Sequence, residues 1–451
     1  MRRTLSCSLL AAVTALAACG GSDVKDVDPV VLAGGGVGSG AILGELNVHV
    51  IDSATDAPLV GASVTVGALS GITDATGLVV LTGDAISGPQ DVTASAVGYA
   101  VSTWFGANGA NVTIPLDTTG DGPDVPTATA SGSIEGWDQL NPGQGRYLVA
   151  FVAYSSTRDF GAPENQLPQP MGQVAPKNIC LKAPPFINGP CEWEMNVRVG
   201  AQTHYAFIAE GDPNGTIMDQ SDDTYEILGF ALKTGITLAD GESAEGELLE
   251  RLDDSDVQDL TVGFGAAPPG LTEFTAIPMI DLGDQLMLFP FPPVNGDSPT
   301  TTVPKTTGDL SAGSYMIVGS AATAEGGLPS STVIARGVNP GAGAIVLPAF
   351  LATATDITAA AGTYSFTPAL EASLHTGSFS GADGAVWNLA FLDGRTSFTL
   401  PMLAADPLPA GTVRLKISGI ELPAFDALNF QLEGIFDQLN RIAENELEFS
   451  H

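Results

Sequence analysis

Apolar and polar residues alternate with a period of two over much of the chain. Residues 44–52, 90–96 and 192–199 alternate most clearly, and turn-forming residues separate such runs every ten or so positions. A period of two directs successive side chains to opposite faces, which is typical of half-buried β-strands. The 54 glycines and 31 prolines supply residues for the intervening turns. The pattern therefore predicts an all-β protein made of tandem β-sandwich domains of the Ig-like or prealbumin-like kind.

One segment near the C-terminus departs from the period of two. Its apolar residues recur at the spacing of an amphipathic helix, and they are Leu428, Leu432, Ile435, Phe436 and Leu439. Spacings of three and four residues place these side chains on one helical face. We expect one short helix over residues 430–441, followed by a last strand at 446–449.

The first eighteen residues have the organisation of an export signal. A basic start, Arg2 and Arg3, precedes a mostly apolar stretch over residues 5–18. That stretch is shorter than the roughly 20 residues of a bilayer-spanning helix. It ends in Leu-Ala-Ala-Cys-Gly at 16–20, which resembles the lipobox of bacterial lipoproteins. The resemblance implies that residues 1–18 are a lipoprotein signal peptide and that Cys19 carries the lipid and begins the mature chain.

The lipobox also leads to an expected location. No aspartate directly follows Cys19, so the inner-membrane retention signal of some diderm bacteria is missing, and we expect a lipid anchor in the outer membrane. The periplasmic and cell-surface sides both stay open. Residues 19–41 contain an acidic patch and a glycine-rich run at 34–40, and this composition is too polar to bury a core. We expect a flexible tether there.

The charge of the chain excludes one class of partner. All 51 acidic residues follow Cys19, against 14 basic residues, so the mature chain carries a net charge of −37. Such a chain repels phosphate backbones, which excludes nucleic acid. No lysine or arginine occurs between Lys25 and Arg146, which argues against docking on anionic headgroups. We expect membrane contact through the N-terminal lipid, with an envelope protein or a glycan as a further partner.

Residues 42–117 contain several short strand-like runs, which predict a small β-sandwich. A Pro-Leu-x-Gly-Ala start, a Thr-Asp-x-x-Gly turn and a Gly-Tyr corner resemble the carboxypeptidase regulatory-like domain. The matching residues are Pro58, Leu59, Gly61, Ala62, Val64, Thr73, Asp74, Gly77, Gly98 and Tyr99. The resemblance implies a transthyretin-like sandwich, also grouped with carbohydrate-binding-like folds. It further implies an accessory module without catalytic residues.

An acidic segment with prolines and threonines follows at 118–127 and predicts a linker. Carboxylates spaced around glycine between Asp117 and Asp124 are also the type of ligand that calcium prefers. The loop is short of ligands, because it lacks the glutamate that completes a helical calcium loop. A solvated acidic linker is the preferred interpretation, and calcium binding is the alternative.

The rest of the chain divides into a second β-sandwich-like domain, predicted over residues 128–252, and a β-rich region after it. Residues 128–252 contain a long apolar run and a proline-rich loop with Cys180 and Cys191, the cysteines that the mature chain keeps besides the lipid site. In an oxidising compartment this pair predicts a disulfide. A metal site would need a histidine such as His204, but the four histidines show no ligand spacing, so we expect no metal. Residues 253–451 are predicted to form a further β-rich domain.

The sequence carries no Gly-x-Ser-x-Gly or His-Glu-x-x-His motif. We therefore expect neither an enzyme nor a cofactor. The favoured hypothesis is a non-catalytic cell-envelope lipoprotein with a binding or structural role, and the alternative is a carbohydrate-binding or hydrolase-accessory surface lipoprotein. Exposed tryptophans lining a sugar platform would favour the alternative, whereas buried ones would be ordinary core residues. The candidates are Trp104, Trp137, Trp193 and Trp387.

Overall fold

The computed structural model describes residues 28–38, 40–119, 126–155, 167–172, 175–183, 190–214, 223–282, 288–290, 293–341, 343–382 and 384–451. The predicted signal peptide, the lipid-attachment residue Cys19 and linker residues 120–125 lie outside the described residues. The described part of the chain is all-β, as the alternating pattern predicts. Its longest helical element is a single turn, α1 at Ile435–Gln438.

The strands of the N-terminal region are β1 Gly36–Gly38, β2 Leu43–Asp52, β3 Ser63–Val66, β4 Leu69–Ile72, β5 Leu78–Ser87, β6 Gln90–Ser95, β7 Val101–Ala107 and β8 Asn111–Leu116. The strands of the middle region are β9 Thr127–Ile134, β10 Tyr147–Ser155, β11 Ile179–Lys182, β12 Glu192–Arg198, β13 Gly200–Asp212, β14 Thr224–Leu238 and β15 Ser243–Arg251.

The strands of the C-terminal region are β16 Val257–Gly263, β17 Glu273–Asp281, β18 Leu288–Pro290, β19 Val294–Asn295, β20 Thr300–Pro304, β21 Ser314–Ala322, β22 Ser330–Val338, β23 Ile345–Val346, β24 Thr355–Ala360, β25 Thr363–Thr367, β26 Leu374–Gly381, β27 Gly384–Phe391, β28 Ser397–Thr399, β29 Thr412–Glu421, β30 Phe430–Gln431 and β31 Arg441–Ser450. Short 3-10 turns occur at Trp137–Gln139, Asp254–Asp256 and Gly308–Leu310.

The N-terminal region is sandwich-like, with two sheets that pack face to face. One sheet has the order β30-β1-β8-β2-β5, and the facing strands are β7, β6, β3 and β4. Alternate residues of each strand enter the core between the sheets, such as Val48 and Ile114 on one side and Val64 and Val92 on the other. All four side chains are fully buried.

The second of these sheets continues far beyond the N-terminal region. Strand β7 pairs in parallel with β27, from Val101 opposite Trp387 to Phe105 opposite Phe391. The continuous sheet has the order β18-β17-β21-β22-β31-β29-β26-β27-β7-β6-β3-β4, and we call it the central sheet. The N-terminal and C-terminal regions are therefore joined by backbone hydrogen bonds and not only by side-chain contact.

A small sheet of β24, β25 and β28 lies over the β26-β27-β29 part of the central sheet. Aromatic rings fill the space between them. Tyr364 and Phe398 of the small sheet stack with their ring centroids 5.3 Å apart, and Tyr364 meets Phe379 of the central sheet edge-on at 4.9 Å. Such offset and edge-on contacts are the favourable geometries for aromatic pairs.

Strands β9 to β15 form a sheet of their own, in the order β11-β10-β13-β14-β15-β9-β12. The sheet curls until its two edge strands approach each other, and we call this part the curled sheet. Cys180 of β11 and Cys191 before β12 form a disulfide across the closing edge, with their Cα atoms 5.4 Å apart. The backbone N–H of Glu194 also donates to the carbonyl of Lys177 at 3.3 Å.

The long strands β13 and β14 of the curled sheet bury both of their faces. Ala206 and Ile208 point into the core of the curled sheet. Tyr205 and Phe230 point the other way and pack against C-terminal residues that include Ile317 of the central sheet. Burial on two faces explains why these strands read as apolar runs and not as a clean alternation.

The helix predicted over residues 430–441 is not confirmed. Strand β30 takes the place of its first residues, β31 begins at Arg441, and only the turn α1 is helical. The apolar residues that suggested one helical face go to different cores, because Leu432 packs on the N-terminal core and Leu439 packs beside Met279 and Met316. Tertiary contacts outweigh local periodicity here.

The N-terminal segment differs from the flexible tether expected over residues 19–41. The Val30 N–H donates to Asn111 Oδ1 at 3.1 Å, and the Leu32 N–H donates to Thr113 Oγ1 at 3.0 Å. After a turn, β1 adds to the N-terminal sheet between β8 and β30. From Asp28 onward the described residues are therefore part of the folded body.

The glycine run of this segment permits close packing. A Cβ atom on Gly36 would lie 2.1 Å from the carbonyl oxygen of Phe430, and one on Gly35 would lie 2.6 Å from Cδ of Pro115. Both residues also have positive φ angles, which glycine adopts without strain. Composition alone cannot distinguish glycines that give flexibility from glycines that let two backbones meet.

Candidate functional site

A groove of about 390 Å3 lies on the central sheet beside the N-terminal sheet. Strands β7, β27, β26, β29 and β31 form its floor, and β8 with β30 form one wall. Side chains at alternate positions of the floor strands point into the groove, while their neighbours point into the aromatic core below. The site therefore combines residues of the N-terminal and C-terminal regions, which are distant in the sequence.

Trp104 and Phe430 form the aromatic part of the groove. Their ring centroids are 5.8 Å apart and their planes differ by 21°, so the rings are stacked. Trp104 comes from β7, and Phe430 is held in place because β30 pairs with β1. Trp104 is only 5% exposed, so it offers no open platform.

Asp117 and Asn388 form one polar part of the groove. The Asn388 amide donates to Asp117 Oδ2 at 2.7 Å, and the Ser53 hydroxyl donates to Asp117 Oδ1 at 2.6 Å. The sequence singled out Asp117 as the first carboxylate of a possible calcium loop. Both of its carboxylate oxygens accept hydrogen bonds from side chains in this structure, and most of the loop toward Asp124 lies outside the described residues.

Lys416, Ser418 and Glu444 form the second polar part. The Lys416 ammonium lies 2.9 Å from Glu444 Oε1, and the Ser418 hydroxyl donates to the same oxygen at 3.0 Å. The lysine and the glutamate are partly exposed, at 40% and 27% of their side-chain surface. Because their charges offset each other, the groove offers hydrogen-bonding groups around an aromatic wall with little net charge at this point.

A second and larger cleft of about 670 Å3 lies between the curled sheet and the C-terminal region. Phe151 and Tyr225 line it and are 39% and 48% exposed. Glu226 and Asp259 add carboxylates, and threonines of β20 line the facing side. This cleft is the more acidic of the two.

His204 lies inside the curled sheet and is fully buried. Its Nδ1 is 2.5 Å from Glu247 Oε2, and its Nε2 is 3.1 Å from Gln202 Oε1. Lys233 Nζ is 3.4 Å from the other oxygen of Glu247. Burial alone would raise the pKa of Glu247, but hydrogen bonding to His204 and the nearby charges outweigh that effect and lower it. A position in the curled-sheet core with both ring nitrogens occupied supports a structural role for His204.

His49 and His375 are the other histidines near a core. Burial lowers the pKa of both rings. His375 Nε2 accepts a hydrogen bond from the Ala369 N–H at 3.0 Å. Within the described ranges, no group of three or more histidine, cysteine, aspartate or glutamate side chains has a geometry that could hold a metal ion.

The four tryptophans that the sequence offered as a sugar platform are buried. Their exposed fractions are 5% for Trp104, 2% for Trp137, 1% for Trp193 and 2% for Trp387. The sequence missed the groove because its residues belong to strands that become neighbours only in the central sheet. Alternating polar residues on β26 and β29 were the available signal, but any solvated strand face has the same pattern.

Comparisons with known proteins yield little. No family model matches the chain, and no curated protein matches it. Among solved structures, the Bacillus anthracis TIE protein is similar at 10% identity over 68% of this chain and 50% of its own, with a TM-score of 0.15. The native conformation of E. coli alpha-2-macroglobulin is similar at 11% identity over 91% of this chain and 28% of its own, with a TM-score of 0.13.

The chain thus spans half or less of these two structures. At such TM-scores, neither comparison carries an argument about fold or function. In the described part of the chain, no helix has both the length and the apolar character needed to cross a bilayer.

Proposed function

We propose that this chain is a lipid-anchored, non-catalytic lipoprotein of the bacterial cell envelope that has a binding or structural role at the outer membrane. The lipobox at Cys19 supports the anchor. The groove at Trp104 carries the binding part of the proposal, because there the N-terminal and C-terminal regions together present polar side chains beside an aromatic wall. In the same proposal, residues 42–117 form a carboxypeptidase regulatory-like β-sandwich at the start of a tandem series.

The arrangement of His204 supports the non-catalytic part of the proposal. A general base must reach the proton that it abstracts. His204 has no exposed surface, and its two ring nitrogens already face Glu247 and Gln202. Both ring nitrogens are therefore occupied inside the curled sheet and do not face a substrate.

Membrane fractionation of a Cys19→Ala variant tests the anchor. Cys7→Ala is the matched control, because it removes a thiol from the predicted signal peptide and leaves the lipobox intact. We expect wild type and Cys7→Ala in the membrane fraction and Cys19→Ala in the soluble fraction. A Cys19→Ala protein that stays in the membrane after residues 1–18 have been removed would contradict the proposal. Protease added to intact cells then distinguishes the two sides, since digestion indicates the cell surface and protection indicates the periplasm.

The four buried tryptophans form no sugar platform, and the support for a second candidate, a carbohydrate-binding or hydrolase-accessory surface lipoprotein, is the partly exposed ring of Phe430 in the groove. An aromatic ring beside amide, hydroxyl and carboxylate groups is complementary to the apolar face and the hydroxyls of a sugar ring. Asn388→Ala removes one such group from the groove, whereas Asn295→Ala removes an exposed asparagine that pairs with Thr275 instead.

We propose to measure binding of both variants and of wild type on an array of bacterial cell-surface and storage glycans. Asn388→Ala should weaken the binding of a glycan hit about tenfold, as expected when a hydrogen bond worth roughly 1.4 kcal/mol is lost. Asn295→Ala should bind as wild type does. An array without hits, or equal binding by both variants, would count against this candidate.

A further inference from the structure

The docked N-terminal segment leaves little chain between the lipid and the folded body. Asp28 is the first described residue, and the Asn111 amide donates to its carbonyl at 3.4 Å. Nine residue steps separate it from Cys19. Whatever its conformation, a chain of that length spans at most about 32 Å at roughly 3.3–3.6 Å per residue.

The position of Asp28 defines one end of the N-terminal region. Ala110, just before β8, donates its N–H to the carbonyl of Gly40 at 3.1 Å. Strands β2 and β8 are parallel, and Asn47 of β2 lies opposite Asn111, the first residue of β8. Leu43, four residues before Asn47, therefore lies beyond the start of β8. Residues Asp28, Gly40, Leu43 and Ala110 therefore lie at the same end, which we call the anchor end.

Val97, Tyr99 and Asp117 lie at the opposite end, which we call the distal end. The Ala100 N–H donates to the Asp117 carbonyl at 2.8 Å, at the far terminus of β8. Strand β8 runs from Asn111 to Leu116, which separates the two ends by about 17 Å at roughly 3.3 Å per residue.

Aliphatic side chains are exposed at the anchor end. Val30 is 49% exposed, Val31 is 52% exposed and Leu43 is 65% exposed. The chain from Lys25 to Arg146 has no intervening lysine or arginine, so this end has no cation of its own region to bind anionic headgroups. Val97 at the distal end is exposed as well, so the short chain between Cys19 and Asp28 is what distinguishes the two ends. The exposed aliphatic groups make the anchor end compatible with an uncharged lipid surface.

We infer that the anchor end of the N-terminal region faces the lipid surface that holds the protein, so that the body is oriented and does not swing on a long tether. This inference rests on the proposed lipid anchor at Cys19. It also gives the groove a direction, because Pro115 and Asp117 line the groove at the distal end of β8. The Asp117 part of the groove then lies farther from the membrane than the Phe430 part, because Phe430 pairs with Val37, which lies opposite Val112 near the anchor end of β8.

The test uses the full lipidated protein in vesicles of phosphatidylcholine that carry a quencher on their headgroups. Leu43→Cys places a fluorophore at the anchor end, where Leu43 is 65% exposed, and Val97→Cys places it at an aliphatic position of the distal end, where Val97 is fully exposed. The added cysteine is the free thiol to be labelled, since Cys180 and Cys191 are paired and Cys19 would carry the lipid.

We expect the vesicle quencher to reduce the Leu43→Cys signal at least threefold more than the Val97→Cys signal. Insertion of about 20 glycine and serine residues after Gly21 should remove most of that difference, because a chain of this length lets the body turn freely. Equal quenching at both positions in membrane-bound protein would overturn the inference and leave the anchor intact. Failure of the protein to partition into vesicles would overturn the anchor and this inference together.

Discussion

The indole Nε1–H of Trp387 donates a 2.9 Å hydrogen bond to the hydroxyl of Thr103, across 284 positions of sequence. Both residues are buried, Trp387 on β27 and Thr103 on β7. The bond crosses the parallel strand pair that joins the N-terminal region to the C-terminal region. Thr103 also shares a hydrogen bond of 2.9 Å with Thr93 on β6, so a polar chain crosses the centre of the sheet.

This relationship predicts that Trp387→Phe lowers the free energy of unfolding by more than the loss of ring volume explains. Trp193→Phe is the matched control, because Trp193 is equally buried but its Nε1 has no hydrogen-bond partner among the described residues. We expect Trp387→Phe to be destabilising by about 1 kcal/mol more than Trp193→Phe, the usual worth of one hydrogen bond. Urea unfolding measures the difference. Equal losses would show that the Thr103 bond contributes nothing.

The disulfide at the closing edge of the curled sheet leads to a second prediction. Cys180→Ala with Cys191→Ala should lower the free energy of unfolding by about 2–3 kcal/mol, because the unfolded chain gains the entropy of an open loop. A reducing agent should lower the stability of wild type to the same level and leave the double variant unchanged. If neither the double substitution nor the reducing agent changes the free energy of unfolding, the other contacts at this edge hold the sheet closed without the disulfide.

A third prediction concerns Arg395, which links the end of β27 to β6. Its Nη1 and Nη2 donate to the two oxygens of Asp91 at 2.8 and 2.7 Å, and its guanidinium lies 4.8 Å from the Phe105 ring centroid. Arg395→Lys keeps the charge but loses the forked geometry. We expect a loss of about 1 kcal/mol for this partly exposed pair.

Arg414→Lys is the control for Arg395→Lys. Arg414 contacts Glu448 through a single 3.5 Å approach, with both side chains more than half exposed, so this change should have little effect on stability. Thermal unfolding of the two variants in low and high salt compares them. An Arg395→Lys protein as stable as Arg414→Lys would contradict the assigned role of the fork.

A fourth prediction concerns pH. Burial lowers the pKa of His375 below its ordinary value of 6.5, so the unfolded chain takes up this proton more readily than the folded one as the pH falls. The stabilising contribution is present above pH 6.5 and is lost as the pH falls through the folded-state pKa. Protonation also removes the acceptor that His375 offers to the Ala369 N–H.

Urea midpoints at pH 7.5 and pH 5.5 test this effect. Wild type should lose stability between the two values, and His375→Gln should lose less, because glutamine can still accept from Ala369 but does not titrate in this range. The pH dependence of stability that remains in His375→Gln comes from other groups such as His49, whose pKa is lowered by burial as well. The same loss in wild type and variant would show that His375 does not contribute.

Several structural features were predictable because they depend on near neighbours in the sequence. Period-two alternation predicts strands such as β12, where every second residue of Glu192–Arg198 is buried. The disulfide between Cys180 and Cys191 was predictable because the two cysteines are close in the sequence and the export signal indicates an oxidising compartment. The amphipathic spacing near Phe430 failed, because the helix would need its apolar residues on one surface and the fold distributes them between two.

The sequence by itself determined the all-β class, the approximate strands and the disulfide, since each follows from local alternation or from the chemistry of a residue pair. Only the tertiary structure decided that β7 pairs with β27, that β1 docks between β8 and β30, and that the groove forms where these strands meet. The physical reason is that alternation specifies which face of a strand is buried. The backbone groups along the edges of a strand can form hydrogen bonds with any other strand, so the local sequence does not specify the partner. Packing over the whole chain selects the partner.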